Sequence, residues 1–265
     1  MRVHIAAACG FCYGVRRAVE LAAQAEAGTH TLGPIIHNPQ LVDSLSEKGV
    51  TPVNSLEEVA DGSRLLIRSH GVGPDVYDEA EKRRLHIVDA TCPHVKKAQQ
   101  DARKVINAKK VLVIIGEKDH PEVIISQWGG NRAIIIDKVE EAEEIPYCET
   151  MGVVVQTTFS QSRFKQIESV LAGKTGHLDV YMTICAATRQ RQEAAVELAK
   201  KVDAMIVIGG KNSANTTRLA QLCAKECQTY HIETAAELQD EWFDKIKKIG
   251  ISAGASTPDC IIKEV

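Results

Sequence analysis

His86-Ile87-Val88-Asp89-Ala90-Thr91-Cys92-Pro93-His94-Val95 is a short apolar run that stops at a cysteine and turns straight into a helical pattern. The stretch His86–Ala90 reads as a strand, and Val95–Ala108 carries its apolar residues at helix spacing. Pro93 falls where a first helical turn needs no amide partner. A strand feeding a helix in this way is one step of a parallel α/β sheet, whose functional loops lie at the carboxyl ends of the strands.

The same step recurs along the chain. Further strands are expected at Arg2–Ala8, Thr29–Ile36, Arg64–Ser69, Val111–Gly116, Ala133–Asp137, Gly152–Thr157, Asp179–Ile184, Ala204–Gly209, Thr229–Glu233 and Gly250–Ala253. Helical spacing runs through Val15–Glu26, Arg163–Ala172, Gln190–Lys201 and Thr216–Cys227. Two other strand ends repeat the cysteine: Ala8-Cys9-Gly10-Phe11-Cys12-Tyr13-Gly14-Val15-Arg16 and Thr183-Ile184-Cys185-Ala186-Ala187-Thr188-Arg189. Three α/β blocks, each offering one cysteine at a strand–helix junction, fit a three-lobed molecule with the thiols meeting at its centre. Chance placement of small buried cysteines gives the same spacing, so spacing alone leaves both readings open.

Histidine follows a parallel grammar. Gly33-Pro34-Ile35-Ile36-His37-Asn38-Pro39, Ile67-Arg68-Ser69-His70-Gly71-Val72-Gly73-Pro74 and Ile115-Gly116-Glu117-Lys118-Asp119-His120-Pro121-Glu122 each follow a strong strand and place a proline soon after the histidine. A helix start with unpaired amides and a donor side chain suits an anion. One such histidine is usually an ordinary residue; three in one grammar point to a shared polyanionic ligand. Gly209-Gly210-Lys211-Asn212-Ser213-Ala214-Asn215-Thr216-Thr217 and Ser252-Ala253-Gly254-Ala255-Ser256-Thr257-Pro258-Asp259 add glycines for close approach and hydroxyl or amide donors. The first is not a Walker loop, because its Gly-Lys-Ser/Thr spacing is wrong.

Composition removes other classes. The 265 residues carry 32 Lys plus Arg against 35 Asp plus Glu, a net charge of −3, which argues against a general nucleic-acid binder. Aromatics at 4% leave little for base stacking. Apolar runs such as Val111–Ile115 are far too short to span a membrane, and the first residues enter a strand and then chemistry rather than a signal peptide. A cytoplasmic protein is expected. Eight cysteines there are better suited to metal, catalysis or packing than to disulfides.

Three thiolates can hold three irons of a 4Fe–4S cluster and leave the fourth open to an oxygen ligand. With three histidines and two donor-rich loops for phosphates, the implied substrate is a small phosphorylated alcohol awaiting reduction. Glu122, two residues after His120, is placed to donate protons if burial raises its pKa. As a first-turn acid it would equally support a helix dipole.

Gly10-Phe11-Cys12-Tyr13-Gly14-Val15, Thr31-Leu32-Gly33-Pro34-Ile35-Ile36-His37-Asn38, Arg68-Ser69-His70-Gly71, Asp89-Ala90-Thr91-Cys92-Pro93, His120-Pro121-Glu122-Val123, Gln156-Thr157-Thr158, Thr183-Ile184-Cys185-Ala186-Ala187-Thr188, Gly210-Lys211-Asn212-Ser213 and Ala253-Gly254-Ala255-Ser256 together resemble the 4-hydroxy-3-methylbut-2-enyl diphosphate reductase (LytB) family, in order and nearly end to end. The resemblance implies an α/β trefoil of three similar lobes with mostly parallel sheets around a central iron–sulfur cluster. The expected lobes are residues 1–12 with 186–265, residues 13–92, and residues 93–185. It implies one 4Fe–4S cluster held by Cys12, Cys92 and Cys185 with its fourth iron open to substrate. It implies reductive dehydroxylation of the allylic diphosphate to isopentenyl and dimethylallyl diphosphates, the last step of the non-mevalonate route. His37, His70, His120, Ser213, Asn215 and Ser256 would surround the diphosphate, Glu122 would relay protons, and Thr157 and Thr188 would stand beside the substrate. A ferredoxin- or flavodoxin-like donor would supply electrons; no Gly-x-Gly-x-x-Gly fingerprint suggests a nicotinamide.

The chain departs from the usual family pattern at Cys9, where many members have Arg, at Met182, often Asp, and at Ala214, frequently Ser. Cys9-x-x-Cys12 raises a redox dithiol or a zinc half-site, but no second paired-cysteine motif accompanies it. The remaining thiols are expected to be structural: Cys223 and Cys227 on one helical stretch, Cys148 in a loop, and Cys260 near a C-terminal helix. Two rival functions follow from the same residues. A non-redox diphosphate enzyme would use the histidine and serine loops without iron, and a regulatory iron–sulfur or zinc module would leave the phosphate loops without a purpose.

Overall fold

The structure, a computed structural model, describes residues 1–36 and 38–265, apart from the side chains of Asn131 and Arg132. Its strands are β1 (Arg2–Ile5), β2 (Thr29–Leu32), β3 (Val50–Val53), β4 (Arg64–Ile67), β5 (His86–Asp89), β6 (Val111–Ile115), β7 (Ile134–Ile136), β8 (Cys148–Val155), β9 (Thr175–Tyr181), β10 (Ala204–Ile208), β11 (Gln228–Ile232) and β12 (Lys248–Ala253). Its α-helices are α1 (Tyr13–Ala23), α2 (Pro39–Glu47), α3 (Pro74–Lys82), α4 (Pro93–Asn107), α5 (Val139–Glu143), α6 (Gln161–Ala172), α7 (Ala186–Ala199), α8 (Ala214–Cys223) and α9 (Asp259–Glu264).

The strands form three four-stranded sheets with orders β1-β12-β10-β11, β3-β2-β4-β5 and β7-β6-β8-β9. Pairing is parallel throughout the first and third sheets and along β2–β4–β5 in the second. The three-block α/β reading of the sequence therefore holds. Central parallel strands are covered on both faces, which is why β6 (VLVII) and β10 (AMIVI) are continuous apolar runs without polar alternation.

Packing gathers the chain into two compact units. One comprises Met1–Gln24, Pro34–Thr51 and Ala186–Val265; the other comprises Ala25–Gly33 and Pro52–Cys185. In the first, Ile206, Ile208, Ile249, Ile251 and Ile261 form one core layer, and Met205, Val207, Leu219 and Cys223 form a second. In the second, Val113, Ile115, Val153, Val155, Phe164 and Ile167 pack on one face of the third sheet, while Ala98, Ala102, Val105, Leu112, Ile114 and Val154 pack on the other. Helix α4 comes close to the sheet because Gly152 leaves room: a Cβ there would lie 2.4 Å from Val105 Cγ2.

Several local expectations are corrected. Cys148 is the first residue of β8 rather than a loop residue, because β8 extends back to pair Cys148 with Thr175 of β9. Cys227 lies beyond α8, which ends at Cys223, since the chain must turn there to enter β11 at Gln228. The helix start expected after His120 is present, as a 3₁₀ segment over Pro121–Arg132. Strand β3 adds to the strands expected from the sequence; Pro52 interrupts its pattern and is tolerated because β3 lies at a sheet edge. Among the described residues no helix is long and apolar enough to cross a membrane.

Gly152→Ala is expected to push α4 off the third sheet and cost about 1–3 kcal/mol of stability, the usual penalty for overpacking. Urea unfolding monitored by circular dichroism measures it; an unchanged midpoint would show that Val105 gives way freely.

Candidate active site

In the second unit, short loops at the carboxyl ends of β4, β5, β6, β8 and β9 carry His70, Cys92, His120 with Glu122, Thr157 and Cys185, and adjacent loops are tied to one another: the Cys92 amide donates to the Ser69 carbonyl at 2.9 Å. After β4, the Arg68 carbonyl accepts from the Gly71 amide at 3.0 Å, closing a turn around His70. Gly71 takes φ +75°, and a Cβ there would lie 2.6 Å from Gln99 Nε2, so the turn needs glycine both for conformation and for space. The His70 and His120 rings meet edge to face with centroids 5.9 Å apart. His120 caps the 3₁₀ segment, its Nδ1 accepting from the Glu122 amide at 3.1 Å, which places the ring proton on Nε2.

Glu122 is 2% exposed. Its carboxylate oxygens accept from the Thr157 amide and the Thr157 hydroxyl, both at 2.6 Å. Burial pushes the carboxyl up to about 7, and the two Thr157 bonds pull the other way without cancelling it. Thr157 also ties the next loop: its carbonyl accepts from the Cys185 amide at 2.8 Å. The first-turn position of Glu122 proves compatible with a buried acid because the side chain turns inward to Thr157.

In the first unit, Cys12 caps α1 and its amide donates to the Ala255 carbonyl at 3.2 Å, beside Ser256. The loops after β10 and β12 adjoin. The Gly254 amide and the Thr257 hydroxyl both donate to the Ile208 carbonyl, at 2.9 and 3.0 Å, and a Cβ on Gly254 would fall 2.0 Å from Thr216 Oγ1. The loop that carries Ser256 therefore packs against the start of the helix that carries Asn215 and Thr216. Ser213 caps α8 by accepting from the Thr216 amide at 3.4 Å. Both polar atoms of the Asn215 amide, the Thr216 hydroxyl and the Ser252 hydroxyl are buried with no hydrogen-bond partner among the described residues. Thr188 is buried in the first turn of α7. His37 lies outside the described residues.

Reading residues singly missed several that shape these loops. Gln156 accepts from the Glu117 amide at 2.8 Å and donates to Thr158 Oγ1 at 2.7 Å, fastening the loop that leads to His120. Arg191 donates to the Gly10 and Phe11 carbonyls from across the first unit. Gln156 stands in a quoted motif; nothing local marks Arg191.

A family model described as LytB protein matches residues 3–265. The chain belongs to the LytB family. It is 46% identical over 270 aligned positions to a 4-hydroxy-3-methylbut-2-enyl diphosphate reductase of Pelobacter propionicus, covering all of this chain and 96% of that one. The corresponding protein of Caldanaerobacter subterraneus subsp. tengcongensis is 46% identical over 274 positions, covering 100% and 95%. Among solved structures, (E)-4-hydroxy-3-methyl-but-2-enyl diphosphate reductase, titled the terminal enzyme of the non-mevalonate pathway, matches at TM-score 0.74 and 43% identity, covering 100% and 98%. The E-1-hydroxy-2-methyl-but-2-enyl-4-diphosphate reductase of Plasmodium falciparum matches at 0.93 and 26%, covering 99% and 86%.

LytB membership implies an iron–sulfur cofactor. The donor chemistry fits. None of the eight cysteines is in a disulfide. Cys12 and Cys92 occupy helix N-cap positions and neither sulfur serves as the cap, while Cys185 directly precedes α7. Helix starts favour negative ligands. Among the described residues no three His, Cys, Asp or Glu side chains form a site for a single ion. A cluster differs in taking one thiolate per iron.

The raised Glu122 carboxyl has a stability consequence. Below about 4.5 the proton is held in both folded and unfolded chains; between 4.5 and about 7 only the folded chain keeps it, so stability falls as pH rises through that window. Glu122→Gln is expected to remove that fall, which for a shift of this size is roughly 3 kcal/mol at most. Unfolding midpoints at pH 5 and pH 8 check it: equal pH responses of wild type and variant would mean an ordinary carboxyl.

Proposed function

We propose that this chain reduces 4-hydroxy-3-methylbut-2-enyl diphosphate to isopentenyl diphosphate and dimethylallyl diphosphate, as its relatives are named to do. Two electrons and two protons replace the allylic hydroxyl by hydrogen and release it as water. The observation that carries the reading is Glu122: a buried carboxyl that keeps its proton near neutral pH, locked by Thr157 and next to the paired histidines.

In this reading Glu122 delivers a proton to the leaving hydroxyl and is reprotonated for the next turnover. A pKa matched to the working pH serves both directions. Thr157, holding Glu122 by two bonds, fixes where that proton is presented, and Thr188 lines the substrate beside it. His37, His70, His120, Ser213, Asn215 and Ser256 bind the diphosphate; the unpartnered Asn215 amide is a donor awaiting an acceptor. Cys12, Cys92 and Cys185 hold one 4Fe–4S cluster with its fourth iron open. When bound, such a cluster takes up single electrons and offers a Lewis-acid position. The electrons come from a ferredoxin- or flavodoxin-like carrier, and the enzyme works in the cytoplasm. Each sheet with its helices forms one lobe, divided at residues 1–12 with 186–265, 13–92 and 93–185.

The test is anaerobic turnover of cluster-reconstituted protein with the allylic hydroxydiphosphate and a low-potential one-electron reductant. Both five-carbon diphosphates should form, and Cys92→Ser should abolish them; no product from protein with an intact cluster spectrum overturns the reading. Glu122→Gln should leave substrate affinity within about twofold while lowering kcat by roughly 10²–10⁴, the usual worth of a positioned acid. Near-normal kcat would take Glu122 off the proton path. Thr157→Val removes a bond that favours the carboxylate, so the loss of activity at high pH should move to higher pH. An unmoved pH–kcat profile would separate Thr157 from the proton donor.

A further inference from the structure

Cys9-Gly10-Phe11-Cys12 presents two thiols three residues apart, a spacing that by itself lets either sulfur, or both, bind a metal. We propose that Arg191 is a positioning residue that decides between them: its guanidinium clamps the turn so that Cys12 stands at the start of α1 while Cys9, half-buried, is held against an apolar layer. The proposal rests on the iron–sulfur reading above and deepens it by naming what selects the ligand.

Arg191, on α7, is 7% exposed. Nε donates to the Gly10 carbonyl and Nη2 to the Phe11 carbonyl, each at 3.0 Å, and Nη1 donates to the Ala187 carbonyl at 3.0 Å within its own helix. Two neighbouring donors of one rigid fork therefore grip two successive peptide carbonyls between the cysteines. Only a planar guanidinium offers that pair; a lysine ammonium is a point donor. Among the described residues Arg191 has no carboxylate partner, so its buried charge is directed to holding backbone.

The other side of the turn is fastened to β12 and the loop after it. The Gly10 amide donates to the Ala253 carbonyl at 3.4 Å and the Cys12 amide to the Ala255 carbonyl at 3.2 Å. Gly10 takes φ +72°, and a Cβ there would lie 2.9 Å from Ile262 Cδ1, so the turn needs glycine at this position. Held this way, Cys9 packs against the layer of Ile206, Ile208, Ile251 and Ile261. Burial pushes its thiol up to about 11, against the smaller pull of the Ala253 backbone and the Arg191 charge, so the neutral thiol is favoured there. Cys12, at the cap of α1, lies outside that layer.

The clamp is tested first without any cluster. In metal-free, reduced protein, alkylation of each cysteine by iodoacetamide is followed by peptide mass spectrometry, with fully buried Cys223 as a marker that the unit stays folded. Arg191→Met should speed Cys9 modification about tenfold or more, because release of the turn exposes the sulfur and this outweighs the loss of a guanidinium charge that favours the thiolate, with Cys223 still protected. Arg191→Lys, which keeps the charge but not the fork, should also speed it. If Met exposes Cys223 as well, the lysine variant decides. An unchanged Cys9 rate in a folded variant overturns the proposal. A second readout uses reconstituted protein. Cys9→Ser should keep the iron content and the electron paramagnetic resonance spectrum of wild type, Cys12→Ser should lose iron despite Cys9, and Arg191→Lys should alter the spectrum while leaving KM for the diphosphate within about twofold. Full iron retention in Cys12→Ser overturns ligand selection. Failure of wild type itself to take up iron would instead sink the iron–sulfur reading, while the alkylation result would still judge the clamp.

Discussion

Parallel strand pairing is the constraint from which the site follows. Two neighbouring parallel strands cannot be joined by a tight turn, so each must be followed by a crossover, and each crossover helix starts near the carboxyl end of the strand before it. Strand ends and helix starts are then forced to one edge of each sheet. In this chain that edge receives Cys92 after β5, His120 after β6, Thr157 after β8 and Cys185 after β9. The prolines at 39, 74, 93 and 121 mark the first helical position after the loops, where a missing amide costs nothing. The recurrence of Cys or His followed by Pro is the sequence trace of that geometry.

Glu122 shows how the same edge makes an acid. A carboxylate sealed from water is costly, and a protein can respond by protonating it or by supplying donors. Thr157 supplies two, enough to orient the group but too few to offset burial, and the carboxyl settles near neutrality. A third donor, or an Arg or Lys alongside, would have made it a permanent anion unfit to give up a proton. The balance depends on Thr157 leaving β8 in a turn whose amide and hydroxyl both face inward.

How far this was legible differs by level. Apolar runs of β-branched residues marked β6, β8 and β10 because burial on both faces leaves little freedom of composition, whereas β3 was hidden by Pro52 and by its edge position. The motif order marked Cys12, Cys92 and Cys185 and the histidines. The pairing of Glu122 with Thr157, 35 residues away, was not legible, because it depends on how two loops of the third sheet are offset. Arg191 was invisible for a similar reason: an arginine in a helical stretch looks like surface until its partners, about 180 residues distant in sequence, are known. The Cys148 and Cys227 placements went wrong at element boundaries, where a strand began earlier and a helix ended sooner than periodicity suggests.

The loops after β10 and β12 carry a further argument, one of cost. The Asn215 amide, the Thr216 hydroxyl and the Ser252 hydroxyl are buried without hydrogen-bond partners among the described residues. Each such group costs about 1–3 kcal/mol relative to a satisfied one, so together they weigh heavily against a domain's whole stability of about 5–15 kcal/mol. Apolar residues of the same size would fold better. Donor groups placed at such a cost are explained if a ligand supplies their acceptor, and a diphosphate, with its many unshared oxygens, is such an acceptor.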